Sequence, residues 1–315
     1  MVGFFLKPNS KGHHARSISL PVRSHPTTLK IKEELNKLRN LEVCSSNCFD
    51  FTKLRMAIPG LAELYKSIGD LLKLPQTQQA LNRHNDSSWV DEILEESISF
   101  LDVCENIREN LFLLRKNIAQ LQSSLRRRNN VNGSSELDND NEDAITKYAS
   151  FVKKLKREMG KFIVSLKQID NKLLESSIFN KINNNQYVIA IVRVLRETSL
   201  ICNFVFRSIC WYFSSTNSHL LYKGSKWGLV LKLVQNNNKG QGEDELNELE
   251  DVEAVLNNLM VRKMSADNTR QRVQVACKKL HALDTTTQGF EKDLECLFRQ
   301  LIHTRVSLLN LLSDH

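Results

Sequence analysis

Proline and glycine are scarce in this chain, with 5 and 11 copies in 315 residues. A turn-rich, all-β fold needs both at its corners, so their scarcity points to long helices. Catalytic fingerprints are missing as well. The sequence holds no G-x-G-x-x-G, no G-x4-G-K-[ST], no H-E-x-x-H and no G-x-S-x-G. The KGSKWG at 223–228 lacks the spacing of a phosphate loop and reads as a turn. No nucleophile and base can be paired from these residues, and the chain reads as non-enzymatic, with no cofactor and no catalytic residue to name.

Other absences narrow the class further. The cysteines number seven, an odd count: Cys44, Cys48, Cys104, Cys202, Cys210, Cys277 and Cys296. They are scattered, which argues against a secreted disulfide framework and for a reducing compartment. Cys44-x3-Cys48 has no second pair and no His-x3–5-His beside it, so no zinc site is assigned. His13–His14 reads as solvated tail. The apolar patch Val2–Leu6 is too short for a signal peptide, and Gly3 does not follow the initiator directly as myristoylation requires.

Acidic residues are absent before Glu33. Residues 1–30 carry Lys7, Lys11, Arg16, Arg23 and Lys30, which leaves only +3 of the net +8 for the rest. Nucleic-acid binders usually gather positive charge on a folded face, because phosphate contacts supply much of their affinity. Here it gathers on a tail, and nucleic acid is not the expected partner.

What is present divides into a basic arm and a helical body. Residues 1–28 are Ser-, His- and Pro-punctuated and are expected to be a disordered arm. The body, 29–315, reads as a single helical-bundle domain with polar linkers near 129–142 and 235–244. A first helix is predicted from Thr28, as cap, to Val43. Pro59 and Gly60 are expected to bend or break the element that follows, and Pro75 opens a short helix.

From Ser88 the pattern sharpens. Phe100, Cys104, Ile107, Leu111, Leu114, Ile118, Leu121 and Leu125 alternate steps of four and three, a heptad seam closed by Arg126, Arg127 and Arg128. After the linker, Ile145, Tyr148, Val152, Leu155, Met159, Phe162, Leu166, Ile169 and Leu173 repeat the rhythm. Two such helices are expected to pack antiparallel. A further element spans Tyr187–Phe213. The last seam runs from Val273 to Leu311, interrupted by Thr287 and Thr304. One helix over 246–312 would be about 100 Å long, so a break is predicted near Ser265–Asn268, with the final helices folding back. The fold class is all-α, an elongated bundle of long antiparallel helices.

The 187–213 segment is apolar almost all round but contains Arg193, Arg196, Glu197 and Arg207. Central charges cost about 2.5–3.5 kcal/mol each on insertion scales, which disfavours a membrane span. Arg193, Arg196, Asn203 and Arg207 share one helical stripe. Two readings remain: a central bundle helix whose stripe reaches the surface, or an interfacial helix facing lipid headgroups. In the arm, Arg16-Ser17-Ile18-Ser19 sets an arginine three residues before a serine, as basophilic kinases require. Phosphorylation at Ser17 or Ser19 would add about −1.5 to −2 charges each. An Arg/Ser-rich, acid-poor arm is also the composition of a transit peptide.

Four blocks carry a resemblance: HHARSISLPVRSHPTTLKIKEELNKLR, LYKSIGDLLKLPQTQQAL, VDEILEESISFLDVCENIRENLFLLRKNIAQLQSSLRRR and LECLFRQLIHTRVSLLNLLSDH. In this order they resemble a plant-specific family of unknown function labelled BYPASS-like. The resemblance implies a role in root and shoot development, no established biochemical activity and no catalytic residues to carry over. Some relatives are labelled chloroplastic. The expectation is therefore a regulatory or scaffolding protein acting through protein partners, cytoplasmic with a membrane-associated pool, and with the plastid as the alternative compartment. Its runner-up is a peripheral membrane protein docking on anionic lipid. The candidate docking residues are Arg16, Arg23, Arg126, Arg127, Arg128, Arg193, Arg196 and Arg207.

Overall fold

A computed structural model describes residues 25–43, 51–82, 88–130, 135–175, 185–214, 248–260 and 266–313. All eight elements in them are helices: α1 (Pro26–Val43), α2 (Phe51–Leu72), α3 (Pro75–Asn82), α4 (Ser88–Asn130), α5 (Ser135–Glu175), α6 (Gln186–Ser214), α7 (Glu248–Met260) and α8 (Ala266–Ser313). The fold is all-α, an elongated bundle. At 1.5 Å per residue α4 is about 65 Å long and α8 about 72 Å.

The seams explain the packing. Every residue of the α4 seam, Phe100 to Leu125, is buried. In α5 the seam is buried except at Phe162 and Ile169, which pack half-covered against the same core. Lys172, near the end of α5, reaches Glu95, near the start of α4, at 3.7 Å, so the two helices are antiparallel. On the other side of α4 lies α8, also antiparallel, with Arg115 3.0 Å from Asp284 and Arg305 donating to the Leu94 carbonyl. Parallel to α8 runs α2: the Thr304 hydroxyl donates to the Tyr65 carbonyl at 3.1 Å. Thr287 bonds the Leu283 carbonyl at 2.7 Å. The two threonines that interrupt the last seam are thus buried with their hydroxyls satisfied.

Central to the bundle is α6, packed on α5 and touching α1, α2, α3 and α4. Twenty of its residues are buried, so a helix apolar nearly all round is here a core helix. An aromatic cluster of Tyr212, Phe213 and Phe290 joins its end to α8, with ring centroids 4.8–5.7 Å apart.

Several boundaries differ from the sequence reading. The first helix begins at Pro26, not at a Thr28 cap. The His25 carbonyl accepts the Thr28 amide at 2.9 Å, and proline suits the first helical position because it has no amide to leave unpaired. Pro59 does not break α2, which runs unbroken to Leu72. Pro59 is exposed, so the bond its ring omits lies on the outer side of the helix. Gly60, beside it, lets Leu38 of α1 approach closely: a Cβ there would stand 3.2 Å from Leu38 Cδ2. Most of the 129–142 stretch is helical, since α4 runs to Asn130 and α5 starts at Ser135. The predicted fold-back is present, since α7 packs on α8 with Lys279 2.5 Å from Asp251, but Ala266–Asn268, where the break is predicted, already belong to α8. The 235–244 linker and residues 1–24 lie outside the described residues.

Candidate docking surfaces

The arginine stripe of α6 does not run along the surface. Arg196 is buried, its side chain 8% exposed, and its guanidinium joins three partners. It pairs with Glu96, lies 3.4 Å from Glu92, and donates to the Leu173 carbonyl at 2.6 Å. One side chain therefore ties α6 to α4 and α5. Burial pushes the Glu96 carboxyl above the usual carboxylate range, against the pull of Arg196. Two turns on, Asn203 donates to the Leu166 carbonyl of α5 at 2.9 Å. Arg207 lies 3.4 Å from Asp170 of α5. Burial lowers the Arg207 pKa and raises that of Asp170. Glu197 pairs with Arg39 and so adds α1. Arg196 and Arg207 are therefore internal staples, and neither faces a lipid headgroup or a partner. Arg193 alone of the three arginines is exposed.

The other predicted sites fall differently. Arg126 and Arg127 are exposed at the end of α4. Arg128 continues that helix, but its side chain lies outside the described residues, as do Arg16, Ser17, Ser19, Arg23, Cys44 and Cys48. The described cysteines are free thiols. Cys104 donates to the Leu294 carbonyl at 3.7 Å, and burial pushes its thiol up to about 12, far from a reactive thiolate. Among the described residues no group of His, Cys, Asp and Glu is placed to hold a metal ion, and no helix is long and apolar enough to cross a membrane. A half-open groove between α2 and α8 is lined by Tyr65, Lys66, Asp70, Lys73, Gln300 and His303.

Three outward surfaces escaped the sequence reading. The first is an apolar edge on α8, where Ile302 and Val306 are 40% and 46% exposed one turn apart. The Leu94–Arg305 contact fixes the register and sets Ile98 of α4, 45% exposed, level with Ile302.

The second lies on the face of α4 opposite its seam. Asp91, Glu95, Asp102, Glu105 and Glu109 are all exposed there, with Ile98 and Phe112 interleaved at the same three–four spacing. Phe112 is 61% exposed. The third is the matching face of α5, basic instead of acidic: Lys147, Lys154, Arg157, Lys161 and Lys172, with Val164 at 56% exposure. Both stripes were available as charge at the heptad positions facing away from each apolar seam. The net charge conceals them, because they nearly cancel.

A family model matches most of the chain. The family profile described as Protein BPS1 matches residues 57–311, from the middle of α2 to the end of α8. Neither the curated proteins nor the solved structures give a match. The matched span agrees with three of the four blocks that carry the BYPASS-like resemblance and leaves the 13–39 block outside. It covers well over half of the chain, which belongs to the BPS1 family, plant developmental regulators whose molecular function is not established.

Proposed function

We propose that this protein is a non-enzymatic regulatory or scaffolding protein that acts in root and shoot development by binding protein partners. The apolar edge formed by Ile98, Ile302 and Val306 carries the reading. In a bundle whose seams are buried, three large aliphatic side chains left 40–46% exposed on neighbouring helices form a surface that a partner's apolar side chains would cover. The basic arm, with Ser17 and Ser19 as phosphorylation sites, is a regulatory element in this reading. A peripheral membrane role draws less support, because Arg196 and Arg207 are occupied inside the bundle.

The test is proximity labelling in plant root cells with the full chain and with an Ile302→Glu/Val306→Glu variant. Both positions are exposed, so the variant keeps its helical content by circular dichroism. The expected result is a set of neighbouring proteins labelled by the wild type and lost from the variant. Identical labelling by both chains overturns the reading, and a membrane pool released by a salt wash favours the lipid alternative.

A further inference from the structure

The α4 and α5 stripes are complementary to each other, and they lie side by side on one face. The 3.7 Å approach of Glu95 to Lys172 fixes their register: Glu105 and Glu109 stand level with Lys161 and Arg157. Beyond the Glu95–Lys172 pair, Glu105 and Glu109 form no ion pair with Lys161 or Arg157 among the described residues. Glu105 pairs with Arg108 on its own helix at 2.7 Å, and Lys161 pairs with Glu158 at 3.0 Å. Among the described residues Asp91, Asp102 and Glu109 form no ion pair. The outer side chains stay in solvent: Glu105 is 58%, Lys161 63% and Arg157 67% exposed.

We propose that this face is an isologous dimer interface, and that its occupant is a second copy of this chain. A two-fold axis parallel to α4 and α5, between them in the plane of the face, sets each α4 against the partner's α5 at an unchanged level. Acid then meets base twice, once in each direction, as a self-complementary patch requires. The aliphatic and aromatic residues interleaved in the stripes, Ile98, Phe112 and Val164, are spaced along the face and supply its apolar part.

The dimensions suit this. The stripe from Asp91 to Phe112 is about 32 Å long, and two adjacent helices are about 20 Å across. The face is therefore roughly 640 Å² per copy, at the low end of the about 600–1,000 Å² that a specific interface buries on each side. An interface so rich in Lys and Glu forms a weak, salt-sensitive dimer, with a Kd on the order of micromolar. The proposal shares Ile98 with the Ile98–Ile302–Val306 edge, but its test alters only Glu105, Glu109, Arg157 and Lys161, none of which belongs to that edge.

Sedimentation equilibrium of the full chain tests it. In low salt the mass rises from monomer to dimer with concentration, and about 0.5 M NaCl raises the Kd at least tenfold. Two charge-reversed chains give the decisive arm: Glu105→Lys/Glu109→Lys, and Arg157→Glu/Lys161→Glu. Each alone sets like charge against like in the dimer and raises its Kd at least about tenfold. Mixed, they pair basic α4 with acidic α5 and acidic α4 with basic α5, and a heterodimer forms. Circular dichroism and thermal unfolding show that both remain folded.

A wild-type chain that stays monomeric at about 100 µM in low salt overturns the proposal, as does a mixture that fails to associate. Loss of association in Arg16→Gln/Arg23→Gln, with none in the α5 reversal, assigns the acidic stripe to the arm instead. Binding of the α5 stripe to phosphatidylserine vesicles, with no dimer, assigns it to lipid. Either result also overturns it.

Discussion

α6 and the α4–α5 pair carry the same kind of pattern, charged residues at heptad spacing, and use it in opposite ways. On α6 the charged stripe faces inward and holds helices together. On α4 and α5 it faces outward. The cause is what fills the rest of each helix. The long helices α4 and α5 have a separate apolar seam to bury, so their charged face is left to solvent. Nearly all of α6 is apolar, so every side of it seeks cover, and its polar groups must find partners inside. A charge stripe is thus read by the faces beside it and not by its own spacing.

Replacing Arg196 gives the largest effect that follows from this difference. Arg196→Ala leaves Glu96 and Glu92 directed at a site without its cation, and the expected loss is about 3–5 kcal/mol in urea unfolding. A loss below about 1 kcal/mol would place Arg196 with the outer charges and dissolve the comparison. Arg207→Ala comes next, at about 2 kcal/mol, because its pair with Asp170 is also largely covered.

A pH titration sharpens the same contrast, with a change smaller than either loss. The Glu96 carboxyl has a folded-state pKa above its unfolded value, so the folded protein holds that proton more tightly. Stability from this group is therefore lost as pH rises from the unfolded pKa through the folded one, and regained as pH falls. Relative to Glu96→Gln, the wild type should gain stability between pH 7 and about 4.5, the unperturbed carboxylate range. Asp170 shifts the same way, and Asp170→Asn should show the same sign. On the outside the sign reverses. Glu158 is lowered, chiefly by its bond to Lys161, so that pair weakens as pH falls.

The seams of α4 and α5 were legible in the sequence because an unbroken three–four rhythm fits one helical face and no strand. That the final helices fold back was legible from length, though not where. The continuity of α2 through Pro59 was not, since proline's cost depends on which side of the helix it faces, and only packing settles that. The fate of the Arg193–Arg207 stripe was hidden for a related reason. Its partners, Glu92, Glu96 and Asp170, lie 37 to 104 residues away in the chain and have no signature as partners until α4, α5 and α6 are brought together. The outer stripes were written in the sequence, but net charge sums over the face that distinguishes them.

Arg193 offers the smallest effect and the cleanest control, because it belongs to the α6 stripe by spacing but not by environment. It stands three residues before Arg196 and is exposed. If burial and not helical position decides what a charge does here, Arg193→Glu should change stability by no more than about 0.5 kcal/mol, like any solvated substitution away from a network. Reversing Arg193 brings a carboxylate towards the Arg196–Glu92–Glu96 cluster, where any long-range field would add to the cluster's negative charge. That part is screened over about 10 Å at 0.1 M salt, so the residual effect should fade on adding salt. The loss in Arg196→Ala should persist, since it arises from groups shielded from the ions. A salt series on these two variants thus separates, within one turn of one helix, a charge that answers to solvent from one that answers to its neighbours.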